Sequence, residues 1–272
     1  MTSFSIQTFG FRVNQAEAFW WTDTLQKEGL KFERDFIRSD WIVVNSCTLT
    51  SRADSDTRSF IRRISRLNPT ARLIVTGCYA GRLPEEFQKM PQIWRVITNS
   101  EKKDLTQEIL SLSVTQKKQS ASPFRSRALV KVQDGCNFRC TFCVIPSVRG
   151  RSVSLEKREI LSQIEELVTQ GFKEIVLTGI HLSLYGVDHE PRSSLVELLH
   201  EITSLKDLSR IRLSSLDPRF LKPSLMDFIT TNKKICPHFH LSLQSGSDAI
   251  LRRMGRKVRV EQYEDILSIL HE

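Results

Sequence analysis

Ala128-Leu129-Val130-Lys131-Val132 is an apolar, strand-like run that leads into Gly135-Cys136-Asn137-Phe138-Arg139-Cys140-Thr141-Phe142-Cys143. A strand that delivers three thiols into one loop sets the reading of everything around it. The spacing is C-x3-C-x2-C. Three thiolates can hold three irons of a cubic cluster and leave the fourth iron without a protein ligand, free to bind and reduce a substrate. Four-cysteine ferredoxin loops fill every iron instead. The rival reading is zinc, which draws on four Cys or His ligands in short paired spacings. The stretch from Leu129 to Gly150 holds no His and no fourth Cys. Three cysteines in eight residues cannot all pair as local disulfides. The spacing therefore favours an iron–sulfur cluster on Cys136, Cys140 and Cys143 over zinc.

Downstream of this loop the pattern alternates strand and helix. Leu155 to Gln170 carries Ile160, Ile164, Leu167 and Val168 on one helical face and closes at Gly171. Glu174–Thr178, Arg210–Leu213 and Phe239–Leu243 read as strands, with helices expected over 194–205, 222–230 and 260–271. That makes four β/α units from residue 128 onward.

Upstream, a second alternating series fills the first half. Strands are expected at 4–8, 40–45, 72–76 and 95–98, and helices at 14–28, 53–67 and 104–110. Apolar runs of four to six separated by helical patterns predict a parallel sheet. Gly10-Phe11, Ser46-Cys47 and Gly77-Cys78 directly follow the first three strands. Ligands of open parallel sheets gather at strand carboxyl ends, so Cys47 and Cys78 are candidates to converge. The alternative is two small buried side chains. Ser113 to Arg127, rich in Ser, Gln, Lys and Arg, reads as a linker.

Composition narrows the classes. The chain has 272 residues, 40% of them hydrophobic, and a net charge of +9. At ~150 residues per domain that is one or two domains. No run of 18 apolar residues predicts a membrane span, and no secretory pattern opens the chain. Six cysteines suit metal chemistry in a reducing cytoplasm better than a disulfide scaffold. The positive charge is clustered: Lys117, Lys118, Arg125 and Arg127, then Arg149 and Arg151, then Arg252, Arg253, Arg256, Lys257 and Arg259. A polyanionic partner and a merely solvated surface both fit that clustering.

The cysteine loop, Leu177-Thr178-Gly179-Ile180-His181, Arg210-Ile211-Arg212-Leu213-Ser214-Ser215 and His240-Leu241-Ser242-Leu243-Gln244-Ser245-Gly246-Ser247-Asp248 together resemble a radical S-adenosylmethionine enzyme of the methylthiotransferase family. Thr8-Phe9-Gly10-Phe11-Arg12-Val13-Asn14-Gln15, Val44-Asn45-Ser46-Cys47-Thr48 and Val75-Thr76-Gly77-Cys78-Tyr79-Ala80 are similar to that family's N-terminal cluster domain. Asn45 to Asp54 resembles the MtaB-type branch, which acts on threonylcarbamoyladenosine in tRNA. The branches for isopentenyladenosine in tRNA and for a ribosomal protein are the alternatives.

The resemblance implies an α/β fold: a parallel-sheet cluster domain over 1–112, a linker over 113–127, and a partial radical (β/α) barrel over 128–272. It implies a 4Fe-4S cluster on Cys136, Cys140 and Cys143, with S-adenosylmethionine on the open iron. Reductive cleavage would release a deoxyadenosyl radical aimed at carbon-2 of the adenine beside the anticodon, and a second S-adenosylmethionine would methylate the sulfur. Phe142, Gly179, Ser214 and Ser245 are the implied cofactor contacts. Cys47 and Cys78 would ligate an auxiliary 4Fe-4S cluster. The implied partners are the tRNA anticodon region, a flavodoxin- or ferredoxin-type electron donor and a sulfur donor, all in the cytoplasm.

Two departures stand in the sequence. Position 11, where the resemblance implies a third auxiliary cysteine, carries Phe11. Four β/α units are legible where the family's barrel has six, so a fragment, a separate chain completing the barrel, or a decaying gene product is expected. An impaired enzyme acting only as an iron–sulfur or tRNA-binding module is the competing functional reading.

Overall fold

The computed structural model describes residues 1–10, 12–113 and 127–271. Phe11 and all of the expected linker but its end residues lie outside these. The chain divides into two compact units, Met1–Pro123 with Ser147–Arg149, and Phe124–Pro146 with Gly150–Glu272.

The first unit is built on one five-stranded sheet in the order β2-β1-β3-β4-β5. The strands are β1 (Ser3–Thr8), β2 (Lys31–Phe32), β3 (Trp41–Ser46), β4 (Arg72–Gly77) and β5 (Ile93–Ile97). Every neighbouring pair is parallel. Parallel sheets are covered on both faces, which is why Trp41-Ile42-Val43-Val44 is apolar without alternation. Successive side chains still point to opposite faces. Trp41 and Val43 pack with Phe4, Trp21 and Leu25 on one side, while Ile42 and Val44 pack with Phe60, Ile61 and Ile64 on the other.

The first face is covered by α1 (Arg12–Lys27) and α5 (Leu105–Ser111), the second by α2 (Ser51–Leu67) with the short helices α3 (Cys78–Arg82) and α4 (Pro84–Gln88). Helix α2 starts where Thr50 caps it, its hydroxyl accepting from Ala53 N at 3.1 Å. It stops at Asn68, ahead of Pro69. The two-residue edge strand β2 was not expected, being too short to show a period.

The second unit carries a four-stranded sheet in the order β7-β6-β8-β9. Strands β6 (Arg127–Asp134), β8 (Glu174–Gly179) and β9 (Arg210–Leu213) are parallel, and β7 (Val153–Ser154) runs antiparallel on the edge of β6. Helices α6 (Lys157–Thr169), α7 (Leu195–Ser204) and α8 (Pro223–Thr231) fall where the sequence predicts them.

The fourth strand differs from expectation. Residues 234–236 begin it beside β9: Ile211 N donates to Lys234 O at 2.7 Å and Cys236 N to Ile211 O at 2.8 Å. Pro237 follows and has no N–H to continue the ladder. Pairing resumes only at β11 (His240–Leu241), which joins β10 (Ser215–Leu216) in a separate parallel ladder. The chain then forms α9 (Asp248–Arg253), which was not expected, and α10 (Val260–His271), which was. Among the described residues no helix is long and apolar enough to cross a membrane.

Candidate functional site

The cysteine loop leaves β6 through Gly135. Its φ is +68°, and a Cβ there would lie 1.9 Å from Arg151 O, so only glycine fits. Asp134 Oδ1 accepts from Gly135 N at 2.8 Å and Cys136 N donates to Gly150 O at 3.1 Å. Asn137 Oδ1 accepts from Ser152 N at 3.0 Å, and Cys143 N donates to Cys140 O at 3.0 Å. The loop therefore holds its shape through backbone N–H groups that donate to main-chain and side-chain acceptors inside its own unit.

Gln133, which the sequence reading missed, organises the carboxyl ends of β6 and β8. It is buried, and its Nε2 donates to Asp134 O, Gly135 O and Ser152 Oγ at 2.7–2.8 Å. Its Oε1 accepts from His181 N at 2.8 Å. Gly179 lies against it: a Cβ on Gly179 would come within 2.8 Å of Gln133 Oε1. No period or motif marks a glutamine for such a role.

Cys136, Cys140 and Cys143 line one cavity of about 150 Å³ together with Phe142, His181 and Arg219. Burial pushes the Cys136 and Cys143 thiols up, and Cys140 beside them pushes the same way. Backbone N–H groups of Phe138 and Ile145 and the charges of Arg219 and Arg256 act against this. Among the described residues no three His, Cys, Asp or Glu side chains converge on a point fit for a single metal ion. The three cysteines nonetheless line one shared cavity. Three soft thiolates with cations nearby fit an anionic iron–sulfur cluster.

The cavity floor holds a charged knot that was not foreseen. Asp217 takes Arg219 bidentately, Nε to Oδ1 at 2.9 Å and Nη2 to Oδ2 at 2.7 Å, and Arg256 Nη1 stands 3.2 Å from Oδ2. His181 Nε2 is 3.4 Å from the same oxygen without forming an aligned hydrogen bond. Burial alone would raise the Asp217 carboxyl. The bonds from Arg219, the nearby His181 ring and the charges of Arg219 and Arg256 outweigh it and hold Asp217 well below the usual carboxylate range. The Arg219 guanidinium also lies 4.1 Å from the Phe138 ring centroid.

Of the implied cofactor contacts, Phe142 lines this cavity and is half-exposed. Gly179, Ser214 and Ser245 do not line it. Gly179 is required by Gln133. Ser214 is buried, while its neighbour Ser215 lines the cavity, its Oγ 2.6 Å from His240 Nδ1. Ser245 closes a local turn, accepting from Ser247 N at 3.2 Å. Cys236 is buried near Arg212 and Glu174, away from the three cysteines.

In the first unit Cys47 and Cys78 are both buried and close enough that Cys78 raises the Cys47 pKa, after burial itself. Gly10 seats against Cys47: with φ +96°, its Cβ would strike Cys47 Sγ at 2.7 Å. Arg149 belongs to this unit, its side chain 1% exposed. It donates through Nε to Cys78 Sγ at 3.1 Å and through Nη2 to Asn14 Oδ1 at 2.7 Å, and its Nη1 pairs with Glu17 Oε1 at 3.1 Å. Lys102 Nζ holds the other Glu17 oxygen at 2.6 Å. Two thiolates would leave two irons of a four-iron cluster without protein ligands, so this donor set does not complete such a site.

Residues 130–272 match the family model described as the radical SAM superfamily, and residues 3–99 match the one described as uncharacterized protein family UPF0004. A protein of Aquifex aeolicus named threonylcarbamoyladenosine tRNA methylthiotransferase MtaB is 35% identical over 98% of this chain and 69% of its own length. The chain belongs to the radical SAM superfamily, among its methylthiotransferases. A Chlamydia pneumoniae protein with the same name is 39% identical over 94% of this chain. The chain spans 61% of that relative's length. A Lawsonia intracellularis protein named tRNA-2-methylthio-N(6)-dimethylallyladenosine synthase is 31% identical over 98% of the chain. Among solved structures, the radical S-adenosylmethionine methyltransferase TsrM of Kitasatospora setae superposes with a TM-score of 0.64, covering 100% of this chain and 66% of its own, at 16% identity. That likeness is one of fold.

Proposed function

We propose that the chain carries out radical S-adenosylmethionine chemistry in a tRNA methylthiotransferase, adding a methylthio group to carbon-2 of threonylcarbamoyladenosine beside the anticodon. The observation that carries this reading is the convergence of Cys136, Cys140 and Cys143 on one cavity floored by Asp217, Arg219 and Arg256. The MtaB-named Chlamydia relative matches at 39% identity against 31% for the dimethylallyladenosine synthase, which favours the threonylcarbamoyl substrate.

Cys136, Cys140 and Cys143 would hold the 4Fe-4S cluster and leave its fourth iron for S-adenosylmethionine. When bound, the two together supply one-electron reductive cleavage of a sulfonium, enough to activate an aromatic C–H bond that acid–base chemistry leaves inert. The protein's part is placement. Ile145, Ile180 and Leu216 line the cavity with apolar surface and exclude water. Phe142 offers a ring face at the rim for a planar base. Asp217, held ionised by its arginines, fixes their guanidinium groups and is not free to take a proton. A flavodoxin- or ferredoxin-type donor and a separate sulfur source, in the cytoplasm, belong to this reading.

Mass spectrometry of tRNA nucleosides from cells with and without the gene tests it. Loss of a methylthio-threonylcarbamoyl nucleoside is the expected result. An unchanged nucleoside profile, with no S-adenosylmethionine cleavage by anaerobically reconstituted protein, would overturn it.

A further inference from the structure

Residues 255–259, between α9 and α10, line a groove of about 720 Å³ together with Arg252 and Asp248. Arg252, Lys257 and Arg259 are exposed on it and make no ion pair among the described residues. The one acid in the lining, Asp248, is engaged by the backbone, its Oδ1 accepting from Val260 N at 2.8 Å. Some exposed cations elsewhere have carboxylate partners, such as Lys27 with Asp23 and Lys157 with Glu201. Arg62 and Arg63 on α2 are exposed without one among the described residues, so it is the grouping along one groove that sets these cations apart. A row of cations left without counter-charges on one groove calls for an anion from outside.

Arg256 is the second observation. It is 8% exposed, and its Nη groups are held by Asp217 Oδ2 and Ser242 O, yet its Nε has no partner among the described residues. A buried N–H without an acceptor is costly. Arg256 lines both this groove and the cysteine cavity. The groove is also fastened to the cysteine loop: Thr141 N donates to Met254 O at 3.1 Å and Thr141 Oγ1 to Arg253 O at 3.3 Å. Anything gripped here is therefore held at a fixed offset from the three thiols.

We propose that this groove docks the phosphodiester backbone of RNA next to the nucleotide that enters the cysteine cavity. The inference rests on the tRNA reading above and names the surface that reading needs. Several guanidinium and ammonium groups spread along a long groove suit consecutive phosphates better than a single small anion. They grip backbone, so they position the strand without reading its sequence.

The test is fluorescence anisotropy of a labelled anticodon stem-loop RNA against the chain at several salt concentrations. Three proteins are compared: the parent, the triple variant Arg252→Ala, Lys257→Ala and Arg259→Ala, and a control triple on α2, Arg62→Ala, Arg63→Ala and Arg66→Ala. At ~0.7 of slope per phosphate on single strands, losing three contacts flattens the plot of log affinity against log salt by about 2. The groove triple should show that flattening and weaker binding by about tenfold or more at low salt, with iron content and thermal melting unchanged. The α2 triple should match the parent. An unaltered slope in the groove triple, the same loss in the α2 triple, or equal competition by polyglutamate would overturn the proposal. Parent protein that binds no RNA would overturn the tRNA reading as well, whereas a binding parent with an indifferent groove triple overturns the groove alone.

Discussion

Gln133 Oε1 accepts the backbone N–H of His181 at 2.8 Å, joining the carboxyl ends of two parallel strands directly beneath the cysteine loop. Its Nε2 serves three further acceptors. Gln133→Ala therefore leaves several buried polar groups unpaired and should destabilise the protein by about 3 kcal/mol. Gly179→Ala, which drives a methyl against the same Oε1, should cost about 1–3 kcal/mol. Urea unfolding of the two variants checks both numbers. A Gln133→Ala protein as stable as the parent would remove Gln133 from its organising role.

Ligand counting predicts the iron content. Anaerobic reconstitution should load about four irons per chain, not about eight, because only the Cys136, Cys140 and Cys143 set fits a cube. Cys140→Ala should fall to near zero, while Cys78→Ala should keep the parent value. Colorimetric iron and sulfide determination decides. About eight irons, halved by Cys78→Ala, would show that the first unit completes a second cluster after all.

Asp217 sets an acid limit. Its folded pKa lies below that of an unfolded aspartate, about 3.9. The unfolded state binds the proton first as pH falls, so the stabilisation is complete above about pH 5 and is lost progressively below pH 4. Asp217→Asn should cost about 3 kcal/mol at pH 7, since it leaves Arg219 and Arg256 uncompensated. The gap between parent and variant should narrow on titration toward pH 2, as followed by chemical unfolding at a series of pH values.

Tyr185 sets the alkaline counterpart. Burial, reinforced by Glu156 and Glu201, pushes its phenol up to about 12, and its hydroxyl has no partner among the described residues. The unfolded phenol ionises near 10. Stability from this group is present below pH 10 and falls between pH 10 and 12. Tyr185→Phe should remove that loss and raise stability at pH 7 by about 1 kcal/mol, because a buried hydroxyl without a partner is deleted. Ultraviolet titration of phenolate and thermal melting measure the two effects.

That three cysteines share one cavity was legible because the loop carrying them is local, all three lying within eight residues. The sheet of the first unit was legible because runs such as Trp41 to Val44 have no other use than a doubly covered strand. Asp217 and Arg256 were not, since their pairing joins residues far apart in sequence through a contact that only the folded chain creates. The fourth strand of the second unit was placed at Phe239–Leu243 from its apolar character, but Pro237 just before it withholds the donor that a continuous ladder needs. Ser214 and Ser215 show a finer limit: adjacent serines at a strand end look alike in sequence, and only the pleat tells which one faces the cavity.

The all-parallel order of the first sheet also bears on how the molecule reaches its native state. Phe4 is aligned with Trp41 and Trp41 with Arg72, so neither ladder can close as a hairpin while the chain is being made. Each waits for an entire crossover to emerge, and apolar strands such as β3 stay unshielded in the interval. Slow synthesis at reduced temperature, or a holding chaperone, is the environment this topology asks of any host that produces it.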